Sequence, residues 1–561
     1  MTPEARPQLE VWLERWFPWL ALAAVVANLS GAWLPLLDDD PALFASIART
    51  MAESGDFVRL TYGELDWLDK PHFPFWMAAL SFRAFGVSAL AYRLPALAFW
   101  GLGAGYTFLL ARRLGGGAAG RLAVLMLLAA QHLVMANADV RAEAYLVGLV
   151  TGAVYHFLRA QEPRSGVHLV LGAALSGCAV MTKGAVALVP VAGALLGHWA
   201  SRREWRELLR PRWWIAAALV LVFILPEIVC LAVQFGSRPA AGGPAVGRKA
   251  IPFFLWESQL GRMLGTGTIR REHGSPLFFA HTLLWAFLPW SAWLLAAAAD
   301  RIRRPPRLPP GLGFAWGAAV PALVLFSLSR FQLPHYLDFL FPFLAVITAV
   351  WVLVLGDEPP RWPVRLQTGV WIAVFALGPL LLLLARPKGA ALAAALVGAG
   401  FGAALVLWRR PPLAAAVARS VAASVALNLV LNIVLSPELG RYQAASQAAA
   451  VLRRLPPRPT GVYATAPPAL DFEAPGPVHR WSVAQVATAA AAAPAYVYLP
   501  QERQPDLEAA GLLVTALAVF QGYPVTKPTL AFLRAETRER VLKPMVLTEV
   551  RALRPPEPSA R

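Results

Sequence analysis

The chain has 561 residues, 57% of them hydrophobic and only 15% charged, a balance far too apolar for an ordinary water-soluble protein. Its formal net charge of +18 would suit a nucleic-acid partner, but the arginines sit in short connections between apolar runs, which excludes a nucleic-acid groove as the reason for the charge. Cys178 and Cys230 are the only cysteines, and both lie inside apolar runs, so neither a disulfide framework nor a cysteine zinc site is available.

Apolar segments long enough to cross a bilayer must be helical, because lipid offers no partner to an open backbone amide. In chain order the pattern predicts them over 17–37, 90–110, 122–136, 144–158, 167–181, 185–200, 214–235, 276–298, 312–328, 336–355, 370–385, 390–407 and 417–435. That gives about thirteen crossings, the first read as an uncleaved span rather than a leader. Arg112 and Arg113, then Arg202, Arg203, Arg206, Arg210 and Arg212, then Arg301, Arg303, Arg304 and Arg307, then Arg361 and Arg365, then Arg409 and Arg410 fall in every second connection. This is the positive-inside alternation. It places the N-terminus in the cytoplasm and the C-terminus outside, with the long connections 38–89 and 236–275 on the outer side.

After residue 435 the composition changes: Ser436-Pro437 closes the last apolar run, charges return, and proline-rich turns separate short apolar strings. Strands are expected over 461–464, 495–499 and 512–517, alternating with helices over 442–455 and 483–493. The fold class is therefore a polytopic α-helical membrane protein, residues 1–435, followed by a small α/β unit, residues 436–561, on the outer side.

The first outer connection opens Asp38-Asp39-Asp40-Pro41 and continues with Leu43, Phe44, Ile47, Ala48 and Met51 at helical spacing as far as Gly55. This predicts an amphipathic helix at the membrane surface. Asp40 stands where an N-cap belongs, with Pro41 at the first helical position. Three adjacent carboxylates exceed what a cap requires. Like charges this close raise one another's pKa, and an outward acid at the lip of a membrane cavity suits a general base acting on a hydroxyl. A second surface helix follows the aromatic turn from Asp66 through Asp69, Lys70, Pro71 and His72 to Trp76. Lys70, Lys183 and Arg262 near helix ends are also placed to snorkel to the interface. Glu227 inside an apolar run has a hydrogen bond to a polar neighbour as its plainer role. His273, His281 and His335 show no tight ligand spacing; no metal is assigned, and a divalent cation stays open.

The run from Asp38 to Pro95 resembles the polyprenyl-phosphate-sugar dependent glycosyltransferases of the GT-C type, typified by the lipid A aminoarabinose transferase and the protein O-mannosyltransferases. Asp40, Phe44, Ala48-Arg49-Thr50-Met51, Gly55-Asp56, Asp69-Lys70-Pro71 and Arg93-Leu94-Pro95 fit its pattern, while Pro41 and His72 depart from it. Farther on, Asn137-Ala138-Asp139-Val140-Arg141-Ala142-Glu143, Met181-Thr182-Lys183-Gly184, Gln259-Leu260-Gly261-Arg262 and Leu333-Pro334-His335-Tyr336 follow in the family's order, with Gln332 replacing a usual lysine. All of these positions fall on the outer side in the topology drawn from loop charge.

The resemblance implies a GT-C fold with juxtamembrane helices in the first outer loop. It implies a multi-pass protein of the bacterial cytoplasmic membrane that moves a monosaccharide from an undecaprenyl-phosphate carrier, with inversion and without a nucleotide, to a lipid, glycan or protein acceptor. Asp40 aided by Asp38 would be the base, and Asp139 or Glu143 would shape the same cavity. Lys70, Lys183, Arg262 and Tyr336, with Asp69, would hold the lipid phosphate. A lipid or solute transporter is the alternative, disfavoured because the acids sit in loops and no internal repeat is visible. An inactive relative serving as an assembly subunit is a third, kept open by His72 and Gln332.

Overall fold

The computed structural model describes residues 7–240, 245–266, 274–304, 309–406 and 412–552. His273, Arg307, Arg409 and Arg410 lie outside the described residues. Among those described, six helices are long and apolar enough to cross a membrane: Ala89–Leu128, Gly166–Lys183, Pro211–Phe235, Pro334–Val354, Arg361–Ala385 and Pro412–Gly440. Pro211–Phe235 leaves Trp214, Leu221, Leu225 and Val233 exposed, as a lipid-facing helix would. Phe341, Phe343, Ile347 and Trp351 of Pro334–Val354 are fully buried instead, so that segment forms the centre of the bundle.

Helix α1 (Gln8–Leu29) starts in the amphipathic stretch around Trp12, and α2 (Asp40–Ser54) follows after a short non-helical run. Pro41 sits at the start of α2, and Gly55 ends it at φ 72°, a conformation that costs glycine nothing. The cap position belongs to Asp39, which makes no side-chain cap bond; the Asp40 carboxylate is thus free of the capping role its position suggested. A small hairpin, β1 (Thr61–Tyr62) and β2 (Leu65–Asp66), turns at Gly63 and leads to α3 (Phe73–Phe85).

Two of the expected spans join in α4 (Ala89–Leu128), whose backbone leaves helical geometry at Gly115 and Gly116. A Cβ on Gly120 would lie 2.6 Å from the Phe108 ring. Residues that far apart in sequence meet only if the chain reverses at the glycines, so α4 is two packed helices with a bend between them. Helices α5 (Gln131–Asp139), α6 (Ala142–Arg159), α7 (Gly166–Lys183), α8 (Leu188–Arg202) and α9 (Pro211–Phe235) complete the first half.

Amide and hydroxyl side chains stitch α1 and α5 to the helix Pro412–Leu429. Asn137 donates to Asn28 at 2.9 Å, Gln131 to Asn428 at 2.8 Å, and Ser424 to the Ala129 carbonyl at 2.7 Å. A close helix crossing joins α8 to Gly313–Leu328. A Cβ on Gly193 would stand 2.2 Å from the Gly317 carbonyl oxygen, and one on Gly317 would stand 2.1 Å from that of Gly193. Gly197 and Gly313 face each other the same way. Small residues four apart on both helices let the backbones touch, which is how helices associate where water supplies no hydrophobic drive.

After Ser436 the chain builds a five-stranded sheet in the order β4-β3-β5-β7-β6, from β3 (Thr460–Val462), β4 (Val478–Arg480), β5 (Ala495–Pro500), β6 (Leu512–Gly522) and β7 (Lys543–Ala552). β3 is parallel to β4 and β5, while β7 is antiparallel to β5 and β6. Three strands stand where the apolar strings predicted them; β4 and β7 do not, because His479, Arg480, Lys543 and Glu549 break their apolar pattern. The helix Pro468–Glu473 of this layer rests on α2: Arg49 donates to the carbonyls of Phe472 and Ala474 at 2.9 Å, and the Asp38 carboxylate accepts the Ala469 amide at 2.8 Å.

Gly317→Leu should force the α8 crossing apart. The expected cost is about 3 kcal/mol or more, at the upper end for overpacking because backbone rather than a side-chain tip blocks the new atoms. It would be read as a lowered unfolding midpoint of purified protein in detergent, with Gly369→Leu, which has open space around it, as the unaffected control.

Candidate active site

One cavity of about 210 Å³ opens among the elements that carry the sequence motifs, and Asp40, Asp69, Lys70, Glu143, Lys183, Arg262 and Tyr336 all line it. Each comes from a different local device. Asp40 is at the first turn of α2; Asp69 and Lys70 precede α3; Glu143 opens α6; Lys183 ends α7. Arg262 follows a π-helical segment, Phe253–Gly261, and Tyr336 stands in the tight turns of Pro334–Leu340. Gly184 at φ 87° lets the π-helix come close: a Cβ there would meet the Gln259 side chain at 2.6 Å.

The cations are paired. Lys70 donates to Asp69 at 2.6 Å, and Arg262 grips the other oxygen of the same carboxylate. Lys183 pairs with Glu143 and lies 3.7 Å from the centre of the Tyr336 ring, a cation–π contact. Arg141 bridges two carboxylates, Asp139 at 2.5 Å and Asp40 at 2.8 Å. His335 adds a ring nitrogen 3.9 Å from Glu143.

These surroundings separate the acids. Burial pushes the Asp69 carboxyl upward, but Lys70 and Arg262 more than cancel it and hold the group down at about 2. Burial raises Asp40 above the usual carboxylate range, with Arg141 and Lys70 opposing only in part. Arg141 loses some proton affinity to burial and gains more from Asp139 and Asp40, so it stays charged. Asp69 is a fixed counter-ion, whereas Asp40 is the acid tuned toward taking up a proton.

Residues 69–229 match the family described as dolichyl-phosphate-mannose-protein mannosyltransferase. The undecaprenyl phosphate-alpha-4-amino-4-deoxy-L-arabinose arabinosyl transferase of Pseudomonas aeruginosa strain LESB58 is 32% identical over 318 residues, 55% of this chain and 53% of the relative. The transferase of the same description from Edwardsiella ictaluri is 27% identical over 353 residues, 61% of this chain and 60% of the relative. The chain thus spans about half the length of the curated relatives it matches. The crystal structure of ArnT from Cupriavidus metallidurans bound to undecaprenyl phosphate superposes with a TM-score of 0.73 at 22% identity, over 95% of this chain and 98% of that one. The fold is GT-C.

Within this GT-C fold the remaining sequence candidates fall outside the cavity lining. The Asp38 carboxylate points to the Ala469 amide, and Asp139 stands behind Arg141. Arg141 and His335 line the cavity, although neither was assigned a role in catalysis or phosphate binding. Arg141 was legible as the one cation inside an acidic motif; His335 was weighed only as a metal ligand and stood beside Tyr336 in the same motif. His72, which departs from the family pattern, is fully buried, and its backbone amide and ring nitrogen both bond to Glu227, at 2.9 and 3.1 Å. Glu227 therefore has the plainer of its two roles. A proline would bring no amide to this position, so histidine and glutamate act together to fix the turn below Lys70. Gln332 binds the backbone of Ser275, Phe326 and Ser327 and does not line the cavity. His281 lies exposed on the helix Phe278–Ala286 and does not line the cavity. Among the described residues no group of three or more His, Cys, Asp or Glu side chains could hold a metal ion.

Asp69→Asn would leave Lys70 and Arg262 without their shared counter-ion, an expected loss on the order of 2–5 kcal/mol at neutral pH. Because the folded pKa lies below the unfolded one, this contribution is present above about pH 4 and disappears as pH falls toward about 2. Unfolding midpoints of the two proteins should accordingly differ by a constant amount from pH 7 to about 5 and draw together below about 4.

Proposed function

We propose that this chain is an integral-membrane glycosyltransferase that moves a monosaccharide from a polyprenyl-phosphate carrier to a lipid, glycan or protein acceptor on the outer side of the bacterial cytoplasmic membrane. The observation that carries the reading is the single cavity joining a burial-raised carboxylate, Asp40, to Lys70, Lys183 and Arg262. The names of its relatives, which act with undecaprenyl phosphate-linked aminoarabinose, and the undecaprenyl phosphate bound to the ArnT neighbour support that donor class.

Asp40 accepts the proton of the acceptor hydroxyl as its oxygen attacks the anomeric carbon. The bond from that carbon to the phosphate oxygen breaks on the opposite face, inverting the centre, and the electron pair leaves with the polyprenyl phosphate. Its charge is received by Lys70, Arg262 and Lys183, which hold spare N–H donors beyond those spent on Asp69 and Glu143. Tyr336 orients Lys183, and Glu143 keeps it in place. Arg141 carries Asp40 until the acceptor arrives, and Asp139 holds Arg141. Asp38 belongs to the joint with the α/β layer.

Residues 1–435 form the catalytic membrane unit, with about thirteen crossings once shorter apolar helices such as Gly313–Leu328 are included with the long ones. Residues 436–561 form the outer α/β unit. The N-terminus lies in the cytoplasm, as the positive-inside alternation requires.

Asp40→Asn, in membranes supplied with labelled undecaprenyl-phosphate sugar, should lower transfer by about 100-fold or more at unchanged protein amount. Asp38→Asn keeps an oxygen for the Ala469 amide and should retain transfer within about threefold. Transfer that survives Asp40→Asn intact would overturn the reading, and acceptor-independent flipping of the labelled lipid would replace it with transport.

A further inference from the structure

Arg93, in the second turn of α4, is 1% exposed, and every hydrogen bond it makes goes to a backbone carbonyl. Its Nε donates to Ala138 at 2.8 Å; Nη1 donates to Leu34 at 2.5 Å, to Ala32 at 3.1 Å and to Ala89 at 3.5 Å; Nη2 donates to Pro35 at 3.3 Å. A guanidinium buried without a bonded carboxylate is costly, and planar donors spread over several carbonyls are what offset that cost.

The two chain segments gripped in this way are those that lead into the cavity. Ala32, Leu34 and Pro35 belong to the run that delivers Asp40. Ala138 precedes Asp139, Val140 and Arg141. Val140 lies at φ 41° and ψ 85°, a left-handed conformation that a β-branched residue adopts only under constraint. The neighbouring Tyr92 hydroxyl reaches the Val140 carbonyl at 3.5 Å. One side of the strained turn is thus tied to Arg93 and the other is touched by Tyr92, and the next residue, Arg141, meets Asp40 at 2.8 Å.

We propose that Arg93 is a positioning residue for the transfer reaction: it clamps the strained Val140 turn to the chain entering α2 and so sets the Asp40–Arg141 contact. The inference rests on the glycosyltransferase reading for its effect on turnover and on geometry alone for the clamp. Lysine keeps the charge but cannot span carbonyls on both segments. Arg93→Lys tests the clamp, and Val140→Gly tests the strain, because glycine takes this conformation at no cost and lessens the need for holding.

Full-length protein in nanodiscs would be measured for undecaprenyl phosphate binding, for transfer from the labelled lipid-linked sugar, and for amide hydrogen exchange. Arg93→Lys should bind undecaprenyl phosphate within about threefold of wild type and transfer roughly 100-fold more slowly, the scale of a misplacement near 1 Å. Exchange over 136–142 should accelerate about tenfold or more. Adding Val140→Gly should restore transfer at least about fivefold, which a general loss of folding would not allow. Unchanged exchange over 136–142, or transfer at the wild-type rate, overturns the proposal. Should Arg93→Lys fail to accumulate, Tyr92→Phe decides: it must speed exchange of the same segment, and unaltered exchange there refutes the clamp. Wild-type protein that transfers no sugar would remove the glycosyltransferase reading alone, since exchange still decides the clamp.

Discussion

Charge pairing inside the cavity is the constraint on which the rest of the structure depends. The desolvated lysines and arginines of the cavity are each held beside a counter-charge, since an ion left there without a partner costs several kcal/mol by itself (on the order of 3–5). Asp69 serves two cations, Glu143 serves Lys183, and Arg141 lies between Asp40 and Asp139. None of these pairs is local to one helix except by adjacency in sequence. The bundle has to bring α2, α6, α7 and the segment after the π-helix to one place before all of the charges are satisfied. The pairing and the fold therefore specify each other.

Close backbone approach makes that convergence achievable. The glycine contacts between α8 and Gly313–Leu328 bring the helix after Lys183 against the helix before Tyr336, and Gly184 admits the segment carrying Gln259 toward the cavity. Behind these contacts, amide side chains on α1, α5 and Pro412–Leu429 tie the first helix to the last. Such polar stitching replaces the hydrophobic drive that lipid cannot supply between helices.

How much of this the sequence disclosed follows from the range of each signal. The apolar runs and the Asp40, Lys70, Lys183 and Arg262 motifs were legible because composition and spacing record them locally. The reversal within α4 was legible for the same reason, because Arg112, Arg113 and the glycines Gly115 to Gly117 interrupt the apolar pattern between the spans expected over 90–110 and 122–136. β4 and β7 were hidden because their charged residues are half-exposed or exposed at a sheet layer whose partners lie far away in sequence. His335 and the His72–Glu227 pair depend on contacts across the fold, and no window along the chain can show them. Arg141 stands between these cases: its place among acids was visible, but only the structure reveals that it bridges Asp139 and Asp40.

The three consecutive aspartates show how burial divides chemically identical groups. Asp38 faces the α/β layer, where its carboxylate accepts the Ala469 amide; burial, with Asp471 and Asp39 adding to it, pushes its pKa up to about 6. Asp39 occupies the cap position without a side-chain bond to the helix. Asp40 turns into the cavity and meets Arg141. The helix Pro468–Glu473 of the α/β layer, with Ala474 that ends it, is thus in contact with the segment presenting Asp40, through Asp38 at one end of α2 and Arg49 farther along it. A helix held at both places has little freedom to shift its first turn. The α/β layer, which composition alone marks as a separate appendage, therefore braces the helix that presents the cavity carboxylate.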